Sequence, residues 1–453
     1  MRILNPLVST LLLGSLAACA TGGGMTVGES VTRLEQQKQS DPTSAAVNRS
    51  LGIAYYKADR FAEARATLEN AAKLDPTDGT TSLYLGLSDE ALGDLPAAKA
   101  AYSSYIQFGR TSRVRSQLQD RLTALARKEI ATDAKAAVAQ EATLSTQPGL
   151  PRTIAVMPLR FSGSDSTLKP LERGFADLLT TDLARSSQLT LVERSRMQAL
   201  LDELALQRGG ATDAATNARA GKLVRAGRVV QGSLSQLAGS NLRVDAAVVD
   251  VPTSQVQGSA TSTDQLEQVF SIEKKLALDL FTQLGVTLTL AERNQIEQRP
   301  TRSLAAFVAY SNGLLAEDGG RYDDASRFFQ EAVRLDPNFS AAQQKGAEAR
   351  SASVGAAVTA ATVETSLKGT SEGAVVNGAT QGSPQPAVGA GLGSTAQNAA
   401  GDLNPSPSGA ATGGATGKGG SSPSSKDPVS AGTGSDNPNG TAKVTIVIAR
   451  PKP

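Results

Sequence analysis

The run Thr153-Ile154-Ala155-Val156-Met157-Pro158-Leu159 decides the fold class. It is apolar without alternation, as expected of a strand covered on both faces, the kind found in α/β domains. Working outward, Leu171, Phe175, Leu178, Leu179 and Leu183 follow at helical spacing, and Leu189 to Val192 is a second short strand. Met197, Leu200, Leu201 and Leu204 mark another helix, and Ala214 to Ala226 a third. Arg228 to Leu234 and Leu242 to Val251 read as strands. The latter alternates Leu242, Val244, Ala246 and Val248 on one face, which fits a half-covered sheet. Gln265 to Leu284 closes the unit as a long helix. Residues 151–290 are therefore expected to form one α/β domain with its own core. Within it, Ser235 to Asn241 and Gly258 to Asp264 read as short connections, the first a turn and the second a polar lead into the closing helix.

Before this domain the periodicity changes to a repeat. Gly52 and Gly86 stand 34 residues apart. Leu51, Gly52, Tyr55, Ala64, Leu68, Ala71 and Pro76 fit the tetratricopeptide pattern, as do Leu85, Gly86, Ala98 and Tyr102. The small residues let paired helices approach, and Asp75-Pro76 ends the second helix because the residue before proline is pushed out of the helical region. The pattern returns at Gly313, Ala325, Phe329, Ala332 and Pro337. Residues 41–130 are expected to hold repeats with a capping helix, whose stripe is Val114, Leu118, Leu122 and Leu125. Residues 291–350 are expected to hold a further helical hairpin of the same kind. Arg113, Arg115, Arg121, Arg127 and Lys128 on the capping helix read as a solvated face. The fold class is thus α/β flanked by all-α repeat hairpins.

Composition narrows the function. The 453 residues carry 45 basic and 43 acidic side chains, with no histidine, no tryptophan and one cysteine. The small net charge gives no field for nucleic acid. The missing histidine removes the usual general base and the commonest metal ligand. A single cysteine excludes an intrachain disulfide or a CxxC pair. There is no phosphate-binding G-x-x-x-x-G-K-[ST] motif. Asp177, Asp182, Glu193 and Asp202 are expected on polar helix faces or strand ends, and Asp89, Glu90, Asp245 and Asp250 at the surface. No cofactor and no enzymatic activity are expected.

Both ends differ in character. Leu7 to Leu16 is an apolar run too short to span a bilayer, ending in Leu16-Ala17-Ala18-Cys19. This resembles a bacterial lipoprotein signal, which implies a signal peptide over 1–19 and lipidation of Cys19. Ala20 after the cysteine favours the outer membrane. Residues 20–40 read as a tether and 131–150 as a linker or helical extension. Residues 351–453 hold 18 of the 43 glycines and 9 of the 20 prolines, so they are expected to be disordered. A strand-prone segment, Lys443 to Arg450, leaves two alternatives: it adds to a sheet edge of this chain or a partner, or it is a lone hydrophobic patch at a frayed terminus.

The α/β blocks resemble the curli-assembly CsgG family. The likeness runs through Ile154 to Pro158, Gly174 to Leu179, Leu191 to Glu203, Gly227 to Ser233 and Arg243 to Val251. Similar folds occur in lipoprotein activators of peptidoglycan synthases and in the amino-terminal domain of the Tol-Pal periplasmic protein. The family's channel needs two membrane-spanning hairpins per subunit, and the short stretches at 235–241 and 258–264 leave no room for them. The resemblance therefore implies the periplasmic body and the lipid anchor without the pore. If the repeats resemble their family in use, Arg49, Ile53, Tyr56 and Lys57 in the first unit and Leu83, Leu87 and Glu90 in the second face the partner groove. The expected function is a lipid-anchored envelope scaffold. It would bind other envelope proteins, with homo-oligomerisation compatible, in outer-membrane assembly or secretion. The alternatives are a subunit of a curli-type export channel and a regulator of a cell-wall synthase.

Overall fold

The computed structural model describes residues 25–207 and 214–381. Cys19 and the segment Lys443 to Arg450 lie outside the described residues. The chain begins with α1 (Val27–Ser40), α2 (Ala45–Lys57), α3 (Phe61–Leu74), α4 (Gly79–Ala91), α5 (Leu95–Phe108), α6 (Ser112–Ala139) and α7 (Glu141–Leu144). A sheet unit follows: β1 (Leu150–Val156), β2 (Arg160–Ser162), α8 (Leu171–Leu183), β3 (Thr190–Leu191), α9 (Arg194–Gln207), α10 (Ala214–Leu223), β4 (Ala226–Gln236), β5 (Asn241–Asp250), β6 (Val256–Gln265) and α11 (Val269–Gln283). Then come α12 (Leu290–Ile296), α13 (Leu304–Asp318), α14 (Tyr322–Leu335), α15 (Ser340–Ala357), α16 (Ala360–Leu367) and α17 (Ser371–Gln381). The described residues form two compact units. One holds residues 25–94, 107–111 and 367–381, and the other 95–106 and 112–366.

The repeat hairpins share one geometry. Their turns close with the same backbone bond, Arg60 N to Tyr55 O, Asp94 N to Asp89 O and Arg321 N to Ala316 O, each 2.9 Å. The residue before each donor is left-handed: Asp59 at φ 56°, Gly93 at 79° and Gly320 at 68°. That is the helix-ending turn in which glycine carries no steric cost. Glycine also sets how closely the paired helices approach. A Cβ at Gly52 would lie 2.5 Å from Leu68 Cγ, and one at Gly313 would lie 2.5 Å from Phe329 Cε1.

In the unit of residues 95–106 and 112–366, the sheet order is β3-β1-β4-β5-β6, with β2 also paired to β4. β1 runs parallel to β3 and β4, while β4, β5 and β6 form an antiparallel meander. The unbroken apolar run has the expected cause. Ile154 and Val156 enter one core with α8 and α11, and Ala155 and Met157 enter another with α6, α9 and α10. The first core continues through Phe307, Tyr310, Phe329 and Phe339 of the C-terminal hairpin, so it crosses the sequence boundary at 290. Turns join β4 to β5, with Leu237 N donating to Asn241 O at 2.8 Å, and β5 to β6, with Asp250 N donating to Gln255 O at 2.9 Å.

Three expectations are corrected, and one left between two alternatives is settled. The tether at 20–40 is helical from Val27, where Thr26 and Glu29 form a reciprocal capping box. The linker at 131–150 takes its helical alternative, since α6 continues to Ala139. That helix packs on α15 and α9. Gly258 to Asp264 is not a lead into a helix but most of β6, the outer strand of the meander. Its Ser, Thr and Gln residues leave little hydrophobic alternation to read. Finally, the part of 351–453 that is described is ordered: α15 runs to Ala357, and α16 and α17 follow. Small residues serve packing there, as at Gly355, whose missing Cβ admits the Asp120 carbonyl of α6.

Candidate interaction surfaces

The structure uses most of the expected groove residues internally. Ile53 and Leu83 are fully buried and Leu87 is buried. The Arg49 guanidinium lies 2.9 Å from Asp78 Oδ2. Asp78 also caps α4, accepting from the Thr80 amide at 3.1 Å, and takes the Thr81 hydroxyl at 2.6 Å. Arg49 is thus a tie between α2 and the start of α4 rather than a free anchor. Tyr56 is half-buried, with its ring 5.5 Å from Phe61 and 5.4 Å from Tyr84. Lys57 and Glu90 are half-exposed. The sequence reading left out an element that packs on these helices.

That element is α17, which lies against α1, α2 and α4. Its buried residues are Glu372, Gly373, Val376 and Ala379, one face of a helix, whereas Ala374 and Asn377 are exposed. The signal was present as Glu372, Val376 and Ala379 at helical spacing, but a surrounding Gly-, Ser- and Thr-rich composition hides it.

Several carboxylates expected at the surface are buried in ion pairs. Asp89 is 2% exposed, with its Oδ1 3.1 Å from Arg65 Nε. Burial pushes its pKa up to about 6 against the opposing Arg65 charge. Asp182 lies 2.5 Å from Lys274 Nζ, beside the fully buried Glu273. Burial, and then the Asp182 charge, raise Glu273 well above the usual carboxylate range. Asp177 receives the Tyr310 hydroxyl at 2.7 Å and lies 3.3 Å from Arg194. The basic face of α6 is corrected in part. Arg113 and Lys128 are exposed as expected, but Arg127 reaches Glu317 at 2.5 Å and Arg121 donates to Gly355 O at 3.1 Å.

Arg194, at the start of α9, is the centre of this network. It is 7% exposed and faces Asp318 at 2.8 Å, Asp177 at 3.3 Å and Glu317 at 3.4 Å. Lys345 and Arg127 complete the neutralisation of Glu317. The network joins α6, α8, α9, α13 and α15, which locks the sheet body to the C-terminal hairpin.

A second surface is a cleft of about 1080 Å³ over the meander. Its floor is a polar, small-residue sheet face in register, Gln231 against Ala247, Ser233 against Asp245 and Asp245 against Thr261. Asp245 is held there by Arg243 at 2.9 Å and by the Thr261 hydroxyl at 2.7 Å. Asp250 is engaged in its own turn, accepting from Thr253 at 3.0 Å.

Residues 135–244 match the family described as curli production assembly/transport component CsgG. Residues 45–78 and 310–339 match tetratricopeptide repeats. No curated protein matches the chain. Among solved structures, the LpoB C-terminal domain from Salmonella enterica aligns with 16% identity and a TM-score of 0.20, over 28% of this chain and 95% of that one. The chain carries a CsgG-like domain set between tetratricopeptide repeats.

Proposed function

We propose that this protein is a lipid-anchored envelope adaptor that binds other envelope proteins in outer-membrane assembly or secretion. The observation that carries the reading is the union of a repeat hairpin and the CsgG-like sheet through one core and the Arg194 network. Such a body presents repeat and sheet surfaces in fixed geometry, as a scaffold requires. The tight turns on either side of β5 support a body without pore hairpins. The segment Leu16 to Cys19 supports the anchor, and among the described residues no helix is long and apolar enough to cross a membrane.

The anchor is tested by Cys19→Ser with membrane fractionation. The reading expects the variant to leave the membrane fraction or stay unprocessed. Full retention of an exported variant overturns it. Ring assembly with conductance in lipid bilayers would indicate a channel subunit instead, and a changed rate of a cell-wall synthase a regulator.

A further inference from the structure

The repeats hold a segment of their own chain. Helix α17 packs on α2 and α4, the first helices of the two N-terminal repeat units, and on α1. The positions that the repeat pattern turns toward the groove include Ile53 and Leu83, and both are fully buried. α17 is fastened at both ends. At its start, the Glu372 carboxylate accepts from the Arg110 and Thr111 amides at 3.0 Å each and from the Thr111 hydroxyl at 2.5 Å. At its end, the Thr380 carbonyl accepts from the Ser30 hydroxyl at 2.7 Å. Between them it buries only small or branched residues, Gly373, Val376 and Ala379.

One feature separates this helix from the contiguous array: its Glu372 stands 262 residues along the chain from the Arg110 that it meets. The helix has 11 residues, a length at which an isolated helix is marginal in water, so it depends on docking. It also follows a break at Gly369, whose φ is 79°. Its seat is generic: two backbone amides and a hydroxyl will take any carboxylate presented at the start of a helix.

Resting on the reading of the repeats as an interaction surface, we propose that α17 is an in-cis ligand of the repeat groove. A partner displaces it with a short helix of the same chemistry. That helix carries a carboxylate in its first turn and small or branched apolar residues four and seven positions later. Tethering gives α17 a high effective concentration, so the partner must bind well to compete, and the groove stays closed in its absence.

The test uses the full chain, the variants Val376→Glu and Glu372→Gln, and a labelled peptide of residues 369–381. In Val376→Glu, the amides of 373–380 are expected to exchange at least about tenfold faster, while α2 and α4 keep their protection. The peptide is expected to bind that variant at least about tenfold more tightly than the unmodified chain, with Glu372→Gln in between. Loss of protection in α2 and α4 in both variants would make α17 a structural helix and overturn the proposal. Failure of the peptide to bind either variant would also overturn it. A partner captured equally by all three chains would remove this proposal and leave the adaptor reading standing.

Discussion

Arg194 meets Asp318 across the junction of the sheet body and the last repeat hairpin, with Nη1 2.8 Å from Oδ1 and 3.0 Å from Oδ2. Both side chains are 7% exposed, and Asp177 and Glu317 face the same guanidinium. Removing the cation takes from Asp318 its nearest positive charge and leaves Arg173, at 3.7 Å. Arg194→Met should destabilise the unit containing the sheet by about 3–5 kcal/mol, read as a lower urea midpoint. A midpoint unchanged from the parent chain would show that the network does not hold the junction.

Asp89 should make the first unit more stable in mild acid. Its pKa in the fold, about 6, lies above the usual carboxylate value because burial outweighs Arg65, and the Asp94 and Glu69 charges add to the rise. The folded state then binds more protons than the unfolded one between about pH 4 and 6. Stability falls as pH rises through that window, and the full cost stands above it. The cost is up to about 3 kcal/mol. Asp89→Asn should flatten the profile, measured by hydrogen exchange of α3 and α4 from pH 4 to 7. An unchanged slope in the variant would contradict the assignment.

Gly52→Ala should cost about 1–3 kcal/mol, because its Cβ would enter the space of Leu68. Adding Leu68→Ala should recover part of that loss in a double-mutant cycle, since the two sites share one contact. Independent, additive losses would mean that the close approach is not what selects glycine.

Tyr56 and Lys57 should part company. Tyr56 packs on two rings, so Tyr56→Ala should lower stability by about 2–4 kcal/mol. Lys57→Ala should cost less than Tyr56→Ala, since Lys57 is half-exposed and fills no core space. Thermal melts of the two variants decide this, and equal melting temperatures would contradict the packing role of Tyr56.

The sequence made the fold legible where burial is two-sided or periodic. The Ile154 to Met157 run, the Leu242 to Val248 alternation and the Gly52 and Gly313 repeats all match structure. It failed where residues are small or neutral polar. β6 is built of Ser, Thr and Gln and is stabilised by its ladder to β5, which no local pattern reveals. α17 hides in Gly-rich chain because its face needs only Glu372, Val376 and Ala379. Of the residues expected to face a partner, Ile53, Leu83 and Arg49 are internal, because pattern alone cannot say which surface is already occupied. The buried ion pairs of Asp89, Asp182 and Arg194 escaped for a related reason. Each joins segments distant in sequence, and the residue types look like ordinary surface charge.

The measurement that bears most directly on the adaptor reading is affinity capture of the full chain from detergent-solubilised membranes, with the mass of each complex determined. The account predicts discrete complexes that contain one or more other envelope proteins in fixed ratio. Closed rings of this chain alone, or a chain that recovers without any partner, would contradict it.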